Sequence, residues 1–158
     1  MHEEVLAIDS LHNLSLGVYL AFCMYIVHMG VELDVWKTRE SNQEVRSKMS
    51  VSRMRAEVEE HYNVLKGQGF LPTEVQEFSV SMFALDGKLG AWGACGLKAS
   101  ETNYFLPYIR DLIARHADVF PNSARLLIAC DALLRCQALI RDHPARFSST
   151  VCQDPRPG

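Results

Sequence analysis

Asp9 closes a short apolar run, Val5 to Ile8, and two chemistries are open to it. If the run is a buried strand, the carboxylate sits at the strand's carboxyl end, just ahead of an apolar helix. Open α/β sheets present ligand-binding and catalytic groups there, and a carboxylate so placed could hold a divalent cation. If the run is helical, Asp9 or Ser10 caps the segment that follows, and His12 bonds backbone in its first turn. Four residues are too few for periodicity to separate the two. For the chain by itself the capping reading is the stronger.

Other stretches invite chemistry and argue against it on spacing. Glycines at 87, 90, 93 and 96 suggest a phosphate-binding loop, but Lys88 follows the first of them rather than the last, and the segment before them reads as helix. A tightly packed connector anchored by Trp92 fits better. The five cysteines (Cys23, Cys95, Cys130, Cys136, Cys152) are odd in number, and no two have zinc or redox spacing, so they read as reduced apolar fillers. His61 finds no second ligand one helical turn away and reads as a packing histidine; no metal site is predicted. Between Lys37 and Arg55 the basic residues, Arg46, Lys48, Arg53 and Arg55 among them, outnumber the acidic ones, which makes this the candidate nucleic-acid surface. Glu57, Glu59 and Glu60 follow at once, so a solvated helix face is favoured.

The elements that would position these residues are helices. Ser10 to Gly30 is apolar on every face, with Ser10 a plausible cap and Gly30 a plausible stop, and such a helix belongs at the centre of a core. A second helix, capped by Ser41 or Asn42 and ending near Gly67, carries the stripe Val51, Met54, Val58, His61 and Leu65. Thr73 and Gln76 have capping-box spacing ahead of Val75, Phe78, Met82 and Leu85, which predicts a third helix ending at Asp86-Gly87. A fourth, capped by Ser100, should kink or restart at Pro107. The last begins at Pro121-Asn122-Ser123 and ends at His143-Pro144, with Leu126, Leu127, Cys130, Leu133, Leu134 and Ile140 on one side. The expected fold is mainly α: one domain of about five helices over residues 1–147, with room for one short N-terminal strand, and a disordered tail over 148–158.

Composition fits this frame. Of 158 residues, 48% are hydrophobic and 22% charged, enough to bury a core and unlike a disordered chain. A net charge of −3 gives no global pull on phosphate backbones or anionic lipid. The most apolar stretch, Leu14 to Val27, is shorter than the roughly 20 residues a bilayer needs, and the acidic start lacks the basic region of a signal peptide. No membrane association is predicted, and the unpaired thiols favour an intracellular location, nuclear or cytoplasmic.

The string Asp9-Ser10-Leu11-His12-Asn13-Leu14-Ser15-Leu16-Gly17 resembles the D-x-[ML]-H-N-L-x-L-G segment of eukaryotic cut-and-paste transposases of the CACTA and Plavaka kind. A looser likeness runs from Leu97 to Leu106 and includes Lys98 and Glu101, similar to a helix in that family's insertion; Thr102 stands where tryptophan is expected. The resemblance implies an RNase H-like ancestor in which Asp9 is the second member of an acidic triad holding Mg²⁺ or Mn²⁺ for two-metal strand cleavage. His12, Asn13 and Gly17 complete the motif. Only eight residues precede Asp9 and no later strand is visible, so the expectation is a non-catalytic, transposase-derived helical segment with Asp9 vestigial and no cofactor of its own. It would act through an unknown protein partner or a second copy, with unrelated helical oligomerisation or weak nucleic-acid binding as the alternatives.

Overall fold

The computed structural model describes residues 17–85 and 96–142. Four helices are present among them: α1 (Tyr19–Glu32), α2 (Gln43–Gly67), α3 (Ala99–Arg115) and α4 (Ser123–Asp142), and no strand. The run before Asp9, the Ser10 cap, the glycines at 87, 90 and 93, Trp92 and the tail lie outside the described residues. The mainly α fold read from the sequence is the fold found.

α1 sits in the core because few of its positions are polar. Tyr19, Leu20, Cys23, Met24, Ile26, Val27 and Val31 are all buried, and burying each aliphatic side chain contributes about 1.5–3 kcal/mol. Gly30 does not stop the helix as expected. It lies inside it, because the chain turns back after Glu32 and lays the Trp36 ring on the Gly30 backbone; a Cβ there would meet Trp36 Cζ3 at 2.9 Å. Asp34 builds the turn. Its carboxylate accepts the Thr38 N–H at 2.7 Å, the Thr38 hydroxyl at 2.6 Å and the Arg39 N–H at 2.9 Å, while Asp34, Lys37 and Arg39 all adopt left-handed backbone.

α2 begins where Asn42 Oδ1 accepts the Val45 N–H at 3.1 Å, and ends at Gly67. Val51, Met54 and Val58 are buried, as the stripe requires, and Ser47, Ser50 and Tyr62 join them.

The helix expected over 73–85 does not form. Residues 70–79 belong to no regular element, and residues 80–84 make one turn. Thr73, Val75, Ser79, Val80 and Ser81 are weak helix formers, and side chains offer the backbone better partners than a helix would. The Val75 N–H reaches the Tyr62 hydroxyl at 3.4 Å, Ser79 Oγ takes the Met82 N–H at 3.1 Å, and His28 Nε2–H donates to the Phe83 carbonyl at 2.8 Å. Gln76 bonds the Glu74 carbonyl instead of closing a capping box. The apolar side chains still go inward. Phe78, Phe83, Phe105 and Tyr108 form a row with ring centroids 5.5–5.9 Å apart that ties this segment to α3.

α3 starts one residue before Ser100, and Glu101 rather than Ser100 organises its first turn: the Glu101 carboxylate accepts the Lys98 N–H at 2.8 Å. Nor does Pro107 break α3, which runs unbroken from Ala99 to Arg115. Proline leaves the Asn103 carbonyl without its helical donor, and Gln137 Nε2 from α4 donates to that oxygen at 2.9 Å. α4 starts where expected, its predicted stop at His143-Pro144 lying outside the described residues, and it packs chiefly on α3, through Cys130, the Gln137 bond and an Arg110–Asp131 ion pair at 2.7 Å. Cys130 is the one fully buried residue of α4. Among the described residues no helix is long and apolar enough to cross a membrane.

Candidate functional site

Asp9, His12 and Asn13 lie outside the described residues. Gly17 lies in the π-helical turn that runs directly into α1. Lys98 and Glu101 come together at the start of α3, where Glu101 is 4% exposed and faces the unpaired N–H groups of the first turn, while Thr102 is fully buried and donates its hydroxyl to the Lys98 carbonyl at 3.0 Å. That arrangement caps a helix.

The four basic residues of the candidate nucleic-acid surface each have a partner within the chain. Arg46 Nε donates to the Glu40 carbonyl at 2.7 Å, and Arg53 donates to the Trp36 carbonyl. Lys48 pairs with Glu44 at 2.6 Å and Arg55 with Glu59 at 2.7 Å, both one turn apart on α2. Arg46 and Arg53 therefore fasten the 36–40 loop onto α2.

The sequence reading missed a polar groove of about 460 Å³ between α2 and α3. Glu57 is its hub, accepting the Tyr108 hydroxyl at 3.1 Å and Arg115 Nη2 at 2.8 Å on the same carboxylate oxygen. Burial, and then Glu57, push the Tyr108 hydroxyl well above its usual range. Burial works against the Arg115 charge, but the Glu57 carboxylate outweighs it and the guanidinium is held above its ordinary value. His61 lies against the rings of Tyr62 and Tyr108 with Nδ1 3.9 Å from Asp111 and a buried Nε2 that has no hydrogen-bond partner. Burial lowers its pKa, Asp111 opposes the shift, and Arg115 adds to it. The one signal available in sequence was the three-four spacing of Tyr108, Asp111 and Arg115 on one face of α3.

A second groove, of about 440 Å³, runs between the α2 end and α4, walled by Leu65, Phe70, Tyr104, Pro107 and Leu134. Beyond it lies the outer face of α4, where Ile128 is 67% exposed and Leu139 60%. Cys23, Cys130 and Cys136 carry no disulfide, and burial pushes the Cys130 thiol up to about 12, which leaves it chemically inert at neutral pH. Among the described residues no group of three or more His, Cys, Asp or Glu side chains is arranged to hold a metal ion. Comparison of the chain with protein-family models, curated proteins and solved structures finds no match.

Proposed function

We propose that this chain is a non-catalytic helical protein-interaction module of cut-and-paste transposase descent, and that it binds through the outer face of α4. The observation that carries the reading is that face: two large aliphatic side chains, Ile128 and Leu139, stand mostly in water on a helix whose inner side is already seated on α3. Exposed apolar side chains aligned on one helix favour a protein partner. The descent rests on the strings Asp9–Gly17 and Leu97–Leu106. In the second of these, Glu101 and Lys98 do structural work that needs no catalysis. Of the basic residues of α2, Arg46 and Arg53 are committed to the Glu40 and Trp36 carbonyls, and Lys48 and Arg55 pair weakly with exposed carboxylates one turn away, which leaves a reduced basic surface and favours a protein partner.

Two measurements test this. The purified chain should leave supercoiled DNA intact with Mg²⁺ or Mn²⁺; cleavage that Asp9→Ala abolishes would overturn the non-catalytic reading. Native protein should enhance the fluorescence of an apolar dye, and the exposed-face variant Ile128→Ser/Leu139→Ser should lose a clear part of that signal, the remainder coming from exposed side chains such as Leu71 and Phe70. Unchanged dye binding would remove α4 as the docking face.

A further inference from the structure

The outward residues of α4 follow the spacing of a helix–helix seam: Arg125, Ile128, Ala132, Arg135, Leu139 and Asp142, alternately three and four residues apart, all exposed. Such a row presents one continuous strip to a neighbouring helix, here about 26 Å long at 1.5 Å per residue.

Read backwards, the row is complementary to itself. Laid antiparallel on a copy of itself about a point between Leu133 and Leu134, it sets Arg125 against Asp142 at each end and Ile128 against Leu139 inside them. Ala132 then faces Arg135 at the centre. Opposite charges meet, the two large aliphatic residues meet, and the smallest side chain faces the longest. The Arg135 stem lies over Ala132 while its guanidinium reaches past to water. A parallel pairing instead sets Arg125 on Arg125, Arg135 on Arg135 and Asp142 on Asp142, all repulsive, so the charge pattern selects the antiparallel arrangement. A two-fold dimer uses the same patch on both copies, and such a patch must be self-complementary in this way.

We infer that α4 pairs antiparallel with α4 of a second copy of this chain, in the register that joins Arg125 to Asp142. The inference rests on the reading of α4 as the docking face and names its occupant. Asp142 already touches Arg141 at 3.3 Å, but both side chains are mostly exposed and that contact holds it weakly. A strip confined to one helix lies at the small end of specific interfaces, so the dimer is expected in the micromolar range.

Sedimentation equilibrium of the full chain from low micromolar to near-millimolar concentration should show a monomer–dimer equilibrium. Ile128→Ser/Leu139→Ser should weaken it at least about tenfold; both sites are exposed, and circular dichroism verifies that the fold is retained. Arg125→Asp sets two carboxylates together at each end and should weaken the dimer, and adding Asp142→Arg to the same chain should restore it. A chain that stays monomeric throughout overturns the inference, while the dye experiment still decides whether α4 is a docking face for another protein. A dimer indifferent to Ile128 and Leu139 forms elsewhere and also overturns it. Loss on Arg125→Asp without rescue by the double exchange overturns the register.

Discussion

A methyl group at Gly30 would reach 2.9 Å from the Trp36 ring, which is 5% exposed, and 3.8 Å from Phe120 Cζ. Alanine gains about 1 kcal/mol over glycine within a helix, and overpacking a tight contact costs about 1–3 kcal/mol. We expect the collision to win. Gly30→Ala should lower the thermal midpoint by a few degrees; a rise would mean the ring yields. His61 supports a pH prediction. Burial depresses its pKa in the folded chain, with Asp111 opposing and Arg115 assisting. The unfolded chain therefore takes up the proton first as pH falls below about 6.5. The stability that neutral His61 provides is complete above that pH and is lost as pH falls through the folded pKa. His116 is lowered too, by burial and then Arg115, and shares the effect. Urea midpoints should decline on acidification, and His61→Gln should flatten part of the decline; an unchanged slope would locate the protons elsewhere. Asn42 was legible in sequence because its partner, the Val45 N–H, lies three positions away; His61 was legible as a packing residue through its place in the α2 stripe, although Tyr108 and Asp111 beside it come from α3. The Glu57 hub was not, since it meets Tyr108 and Arg115 51 and 58 residues away.

Helix boundaries were readable where caps or breakers made them: Asn42, Gly67 and the Pro121–Ser123 start. The segment from 70 to 85 was misread for a definite reason. The stripe Val75, Phe78, Met82 and Leu85 correctly marked side chains that go inward, yet inward side chains do not dictate a helical backbone when Tyr62, Ser79 and His28 supply the hydrogen bonds. Pro107 teaches the same lesson in reverse, because the bond that keeps α3 whole comes from another helix. Replacing Gln137 by alanine should cost about 1–2 kcal/mol by leaving the Asn103 carbonyl unpaired. In a Pro107→Ala background, residue 107 regains its own N–H and the cost should shrink sharply. Equal costs in both backgrounds, read from chemical denaturation, would show that the Gln137 bond does not substitute for the missing one.

Across the molecule the helices are unequally secured. α1 and α3 hold most of the fully buried side chains, whereas α4 contributes Cys130 alone and leans on α3. Few buried contacts mean a small free energy of local opening. At concentrations too low for self-association, α4 amides should exchange with deuterium well before those of α1 and α3. Uniform protection would mean that the four helices open only together. Fold class and the burial of α1 were foreseeable from the apolar pattern. The outer face of α4 was not singled out, because the stripe that drew attention, from Leu126 to Ile140, is the side that rests on α3.

The Gln137 bond reaches back thirty-four positions, and this sets a condition on biosynthesis. Residue 107 leaves the ribosome well before residue 137, so for that interval the newly made α3 segment has a carbonyl that only water can satisfy. Its final turn-to-turn bonding waits for a helix not yet translated, which links completion of α3 to arrival of α4.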